Sequence, residues 1–205
     1  MLPRLYPILD IDLCRERRLE PLALLDAFLA GGARFVQLRD KTPSSAERLR
    51  CAVEVVARAH AAGARLVVND RADIARLSGA DGVHVGQDDL SVDEARRILG
   101  PDAIIGLSTH DETQIAAAAR SSATYIAVGP IYGTATKDTG YTARGLDLVR
   151  KAALIRRPVV AIGGITLERV EEVLAAGASS VAVISDLLTG GDPAARVRAF
   201  LERRV

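Results

Sequence analysis

The chain has 205 residues, 49% of them apolar, and a formal net charge of +1. That balance suits a folded globular protein and offers no footing for nucleic-acid binding or an anionic membrane surface, and no apolar run approaches the roughly 20 residues needed to span a bilayer. The start MLPRLYPILDID reaches Asp10 and Asp12 too soon for a secretory apolar region, and Cys14 and Cys51 form neither a disulfide framework nor a metal-ligand spacing, so a reduced, cytoplasmic protein is expected.

In chain order the predicted strands are RLYPIL, RFVQL, RLVVN, GVHV, AIIGL, TYIAVG, PVVAI and SVAVI, each followed by a stretch with helical punctuation. The weakest of these is RADIARLSG, after the third strand, which is short. Ser91 before VDEARRIL, with Glu94 three residues on, forms a capping box. Asp111 opens ETQIAAAA, Thr166 opens LERVEEVLAAG, and Asp192-Pro193 opens AARVRAFL. Gly63, Gly100 and Gly177 stand where helices should stop. Strand–helix alternation without a composition break means a parallel sheet. An open doubly wound sheet shares that alternation, but eight short repeats in about 200 residues fit a closed (β/α)8 TIM barrel better, as a single domain over residues 1–205.

In such a barrel the chemistry gathers on the loops after the strands. The second strand delivers QLRDK, with Arg39 and Lys41; the third Asn69-Asp70; the fourth GQDD, with Asp88 and Asp89. The fifth brings Ser108 and His110, and the sixth Thr134, Thr136 and Lys137. Gly163-Gly164 follows the seventh, and Ile184-Ser185 the eighth. Seven of the eight loops thus present polar groups or glycines to one mouth.

Gly163-Gly164 reads either as a plain turn or, with Ser185 on the next loop, as a phosphate site where main-chain N–H groups lie open to an anion. Asp70 and Asp89 read either as surface or capping carboxylates or as oxygen ligands for a hard cation such as Mg2+. Beside Arg39, Lys41 and Lys137 the second alternative gains weight, because two carboxylates and three cations match a metal-bound diphosphate. Lysine, a compact point charge, can follow a phosphate oxygen as its charge grows. The threonines before Lys137 serve either as donors to a smaller anion or as turn residues. His110, near the mouth, could carry protons at neutral pH; His84 reads as packed or orienting, and His60 as an ordinary helix residue.

Taken together, QLRDK, VND, HVGQDD, GLSTH, GPIYGTATK, AIGGIT and VIS, in that order and across essentially the whole chain, resemble the thiamine-phosphate synthase family. The resemblance implies a barrel enzyme joining a hydroxymethylpyrimidine diphosphate to a hydroxyethylthiazole phosphate, or its carboxylated precursor, with Mg2+ bound and pyrophosphate released. It implies that Gln37, Leu38, Arg39, Asp40, Lys41, Asn69, Ser108 and Lys137 bind the pyrimidine diphosphate. Asp70 and Asp89 would hold Mg2+. Thr134, Ala135, Thr136, Gly164, Ile184 and Ser185 would bind the thiazole phosphate. Lys137, Ser108, Arg39 and Lys41 would carry the catalysis. Two departures stand out: Gly133 replaces a frequent proline, and one extra residue lies between Asp89 and Ser108.

Two rivals share the barrel. The related thiazole tautomerase uses a histidine near His110 but has no use for Asn69, Asp70, Asp89 and the Thr-x-Thr-Lys pattern, and a silent phosphate-binding barrel would have shed charged ligands first. The partners expected are therefore small-molecule substrates, with no nucleic acid or membrane. The sequence leaves the oligomeric state open, a homo-oligomer included.

Overall fold

Eight parallel strands pair in chain order and close on themselves: β1 (Leu5–Asp10), β2 (Phe35–Arg39), β3 (Arg65–Asn69), β4 (Gly82–Val85), β5 (Ile104–Thr109), β6 (Tyr125–Val128), β7 (Val159–Ile162) and β8 (Ser180–Val183). The last rung sets Leu5 of β1 beside Val181 of β8. The computed structural model describes residues 2–41, 44–133 and 140–203. All eight predicted strands appear, and the closed (β/α)8 barrel is the fold. Among the described residues no helix is long and apolar enough to cross a membrane.

Side chains alternate across each strand, and this alternation sorts the residues into two cores. Tyr6, Ile8, Phe35, Val67, Tyr125, Ala127, Val160 and Ala182 point inward and fill the barrel. Leu5, Leu9, Val36, Leu38, Leu66, Val68, Val83 and Ile105 point outward against the helices. Three aromatic rings plug the barrel: Tyr6 lies 4.6 Å from Phe35 and meets Tyr125 edge-on at 5.9 Å. Gly106 makes room for them. A Cβ there would sit 2.2 Å from Tyr125 Cζ and 2.5 Å from His84 Nδ1.

The helices are α1 (Ile11–Arg17), α2 (Pro21–Ala30), α3 (Ser45–Ala61), α4 (Ala72–Ser78), α5 (Val92–Leu99), α6 (Glu112–Ala119), α7 (Gly145–Ala153), α8 (Val170–Ala175) and α9 (Pro193–Glu202), with a 3-10 turn at Ser185–Leu188. Ser91 and Glu94 form the expected capping box on α5. Asp111 and Asp192 cap α6 and α9 through their side chains, accepting from Gln114 and Ala195 N–H. Thr166 behaves otherwise. Helix α8 starts only at Val170; the segment from Thr166 to Arg169 closes a turn before it, and the Leu167 N–H donates to the Asp186 carboxylate at 3.2 Å. An extra helix, α1, also follows β1 directly, with Asp10 as its cap.

Candidate active site

A cavity of about 740 Å³ opens at the carboxyl ends of the strands. Gln37, Arg39, Asn69, Ser108, His110, Gly164, Ile184 and Ser185 all line it. Strand parity explains the selection on β2. Gln37 and Arg39 face the cavity, while Leu38, one residue out of phase, is fully buried against the helices. Asp40 shares the parity of Leu38; it is buried, and its carboxylate lies 3.8 Å from Arg15 on the far side. The structure does not bring these two side chains to the cavity, so any contact they make there falls to the main chain. Thr134, Ala135, Thr136 and Lys137 lie outside the described residues.

Lys41, Asp70 and Asp89, on the loops after β2, β3 and β4, form a cluster of their own, and none of the three is among the residues that line the cavity. Lys41 Nζ is ion-paired with the Asp70 carboxylate, and the Asp70 and Asp89 carboxyls lie close enough to influence one another electrostatically. Backbone geometry sets Asp70: its φ is +64°, and Arg71 N–H reaches back to the Asn69 carbonyl at 2.8 Å across it. A non-glycine residue held there carries strain that tends to mark functional positions. Asp89 is turned back on its own loop, accepting from Gly86 N–H at 2.7 Å. Burial raises its carboxyl above the usual range, and Asp70 adds to that effect; the Gly86 N–H and Lys41 oppose it.

Arg39 is aimed from below. Its Nη1 donates to Asp10 at 2.7 Å and lies 3.6 Å from Asp12, and its Nε is buried without a partner among the described residues.

Ser108 is governed by a buried chain of hydrogen bonds. The Gln37 amide donates to Tyr6 Oη at 2.8 Å, Tyr6 and Tyr125 hydroxyls meet at 2.8 Å, Tyr125 reaches His84 Nδ1 at 3.0 Å, and His84 Nε2 meets Ser108 Oγ at 2.9 Å. One arrangement that satisfies every bond has Tyr6 donating to Tyr125, Tyr125 to His84 Nδ1, and His84 Nε2–H to Ser108 Oγ. The Ser108 O–H is then left to point at a ligand. Burial raises the hydroxyls of Tyr6 and Tyr125 far above neutrality, so both stay protonated. Histidine His110 is pinned separately, its Nδ1 on the Gly129 carbonyl at 2.6 Å and its ring stacked on Tyr141 at 4.2 Å.

Reading the sequence missed several cavity residues. Asp10 and Asp12 line it from β1 and α1, and Arg169 and Thr166 from the β7 loop. Asp10 could have been found by the rule applied to the other loops, since it ends its strand. Tyr6 and Tyr125 could not, because tyrosines inside apolar strands read as core.

A family model described as thiamine monophosphate synthase matches residues 5–187. The chain is 45% identical over 207 residues to a thiamine-phosphate synthase of Koribacter versatilis, covering 98% of this chain and 95% of that protein. It is 46% identical over 204 residues to one from Mycobacterium bovis, covering 94% and 90%. Among solved structures, a thiamine phosphate pyrophosphorylase from Pyrococcus furiosus superposes with a TM-score of 0.85 at 31% identity, covering 96% of this chain and 93% of that one. With matches of this extent, the chain belongs to the thiamine monophosphate synthase family.

Proposed function

We propose that this barrel couples the pyrimidine diphosphate to the thiazole phosphate at the cavity described, with Mg2+ held by Asp70 and Asp89. The protein is a thiamine-phosphate synthase, a transferase acting on small molecules, as its family and its near-full-length relatives establish. The observation that carries the site reading is the Lys41–Asp70–Asp89 cluster on the loops after β2, β3 and β4, at the end of the barrel where Arg39 and Ser108 line the cavity.

The cluster fits a hard divalent cation. Its donors are carboxylate oxygens, and two carboxyls are crowded together with one lysine for compensation. Mg2+ takes one or two protein carboxylates and completes its shell with water and phosphate oxygens. When bound, the ion would neutralise charge on the diphosphate.

The rest falls to the chain. The thiazole nitrogen has a free lone pair and no proton to lose, so no general base is needed. Its attack forms a C–N bond at the pyrimidine methylene while the C–O bond to the diphosphate breaks, and the electron pair leaves with pyrophosphate. Arg39, with its unpartnered Nε, and Lys41 offset that growing charge, and Ser108 donates its hydroxyl proton to a diphosphate oxygen. Gln37 and Asn69 orient the pyrimidine, and Lys137 joins the cationic set. Gly164, Ile184 and Ser185 line the same cavity and receive the thiazole phosphate. The free thiols of Cys14 and Cys51 support a cytoplasmic setting, and we read residues 1–205 as one domain.

The test is pyrophosphate release from both substrates together, with and without Mg2+. Release that persists in EDTA overturns the metal assignment. Conversion of the thiazole phosphate alone, lost in His110→Ala, would instead support an isomerase.

A further inference from the structure

We propose that Arg169 is the cation that binds the phosphate of the thiazole substrate, and that it sets the preference for a phosphorylated over an unphosphorylated thiazole. The inference rests on the site reading above and adds to it the positive charge that Gly164, Ile184 and Ser185 lack.

Three arginines line the cavity: Arg17, Arg39 and Arg169. Arg39 is committed to Asp10 and Asp12. Arg17 shares α1 with Asp12, and both Asp12 and Glu16 stand in the same lining. Arg169 differs from Arg39 in making no ion pair, and from Arg17 in being held in place by its neighbours. Its Nη1 donates to the Gly164 carbonyl at 2.9 Å, its guanidinium lies 4.3 Å over the Tyr132 ring, and it makes no ion pair with any described residue. A guanidinium has five N–H donors. One is used by Gly164, and the stacking fixes the plane in which the others lie.

Three of the surrounding carboxylates are paired with other arginines, and the fourth, Glu172, is held by the Tyr132 hydroxyl and makes no ion pair with Arg169 among the described residues. Asp186 binds Arg196 at 2.8 Å and accepts from Leu167 N–H. Glu168 lies 3.5 Å from Arg196, and Glu171 pairs with Arg203 at 3.2 Å. Glu172 accepts the Tyr132 hydroxyl proton at 2.5 Å. That last bond also braces the ring on which Arg169 rests. Gly164 completes the mount: a Cβ there would come within 2.5 Å of the Gly133 carbonyl oxygen and 2.8 Å of Tyr132 Cβ, so the β6 and β7 loops touch directly beneath the arginine. Because α8 starts late and is only six residues long, its N-terminus offers little to an anion, and a side-chain cation is what the site requires.

The measurement compares kcat/KM for the thiazole phosphate with that for the thiazole alcohol, in wild type and in Arg169→Ala. A charge-assisted contact to phosphate is expected to be worth about 10- to 100-fold, so the phosphate preference should shrink by about that factor, carried by KM for the thiazole and not by KM for the pyrimidine diphosphate. Arg169→Gln, which can keep the Gly164 bond without the charge, should behave like the alanine variant, and Arg169→Lys should recover part of the preference. A merely structural arginine would slow both thiazoles equally, and an unchanged ratio overturns the proposal. Calorimetric titration of the thiazole phosphate onto both proteins reads the contact without turnover. Equal dissociation constants refute Arg169 even if wild type releases pyrophosphate, whereas a wild type that releases none but binds more weakly after Arg169→Ala refutes the coupling reaction and keeps the phosphate site.

Discussion

Removing one hydroxyl from the barrel's interior should expose how the polar chain behind Ser108 is built. Tyr125→Phe keeps the ring, and with it the edge-on contact to Tyr6 and the stacking at 5.6 Å on His84. It deletes an oxygen that meets Tyr6 Oη at 2.8 Å and His84 Nδ1 at 3.0 Å. Both groups lose their partner inside a core where Tyr6 is 1% and His84 7% exposed. Each buried orphan costs about 1–3 kcal/mol, and part is returned because one hydroxyl no longer needs desolvating, so a net loss of about 3 kcal/mol is expected. For a chain of this size that is a fall in Tm of about 6–12 °C.

Tyr6→Phe should cost less, about 1 kcal/mol. It frees the Gln37 amide, which reaches the cavity and its water, and leaves Tyr125 still bonded to His84. The two effects must not add. In the double variant the Tyr6 donor no longer exists to be orphaned, so the combined loss should be about 2–3 kcal/mol, at least ~1 kcal/mol short of the sum. Urea unfolding followed by circular dichroism gives all four corners of the cycle. Additive losses would refute the relay: they would mean that the tyrosine hydroxyls find independent partners and that Ser108 is not oriented through them.

Gly106→Ala should prevent normal folding or release of soluble protein, since the new methyl meets Tyr125 and His84 at distances no side-chain adjustment relieves; a native-like melt would contradict this. Asp89→Ala should cut pyrophosphate release about 100-fold or more while shifting stability by no more than about 1 kcal/mol, as expected for a surface carboxylate. Parallel losses of rate and Tm would count against a direct role, and Lys137→Ala should show the same split. Asp186→Asn leaves the little-exposed Arg196 without its closest anion, so a loss of about 3 kcal/mol is expected in denaturant melts, and a change under ~1 kcal/mol would show that Glu168 suffices.

The strands were legible because each carries a short β-branched run ended by turn chemistry, and the parity of a strand then fixes which residues meet. Gln37, Arg39, Asn69 and Ser108 reach the cavity for that reason, and Leu38 turns away for the same one. Caps were legible where one side chain decides them, at Ser91, Asp111 and Asp192. Thr166 misled because the residues after it close a turn before the helix begins at Val170, with the Leu167 N–H held by the Asp186 carboxylate, 19 residues on. That carboxylate belongs to the β8 loop, and nothing local announces it.

The late start of α8 also bears on where the functional charge sits. With the start of α8 displaced to Val170, an anion beside Gly164 no longer meets a row of helix N–H groups. It meets the turn that carries Arg169, whose orientation depends on Tyr132 from β6, Glu172 from α8 and the Gly164 carbonyl from β7. Two segments distant in sequence must meet before that arginine has a direction, the β6 loop with Tyr132 and the stretch from Gly164 to Glu172. A motif such as AIGGIT can therefore mark where a phosphate sits, but the residue that balances its charge becomes visible only once the barrel has closed.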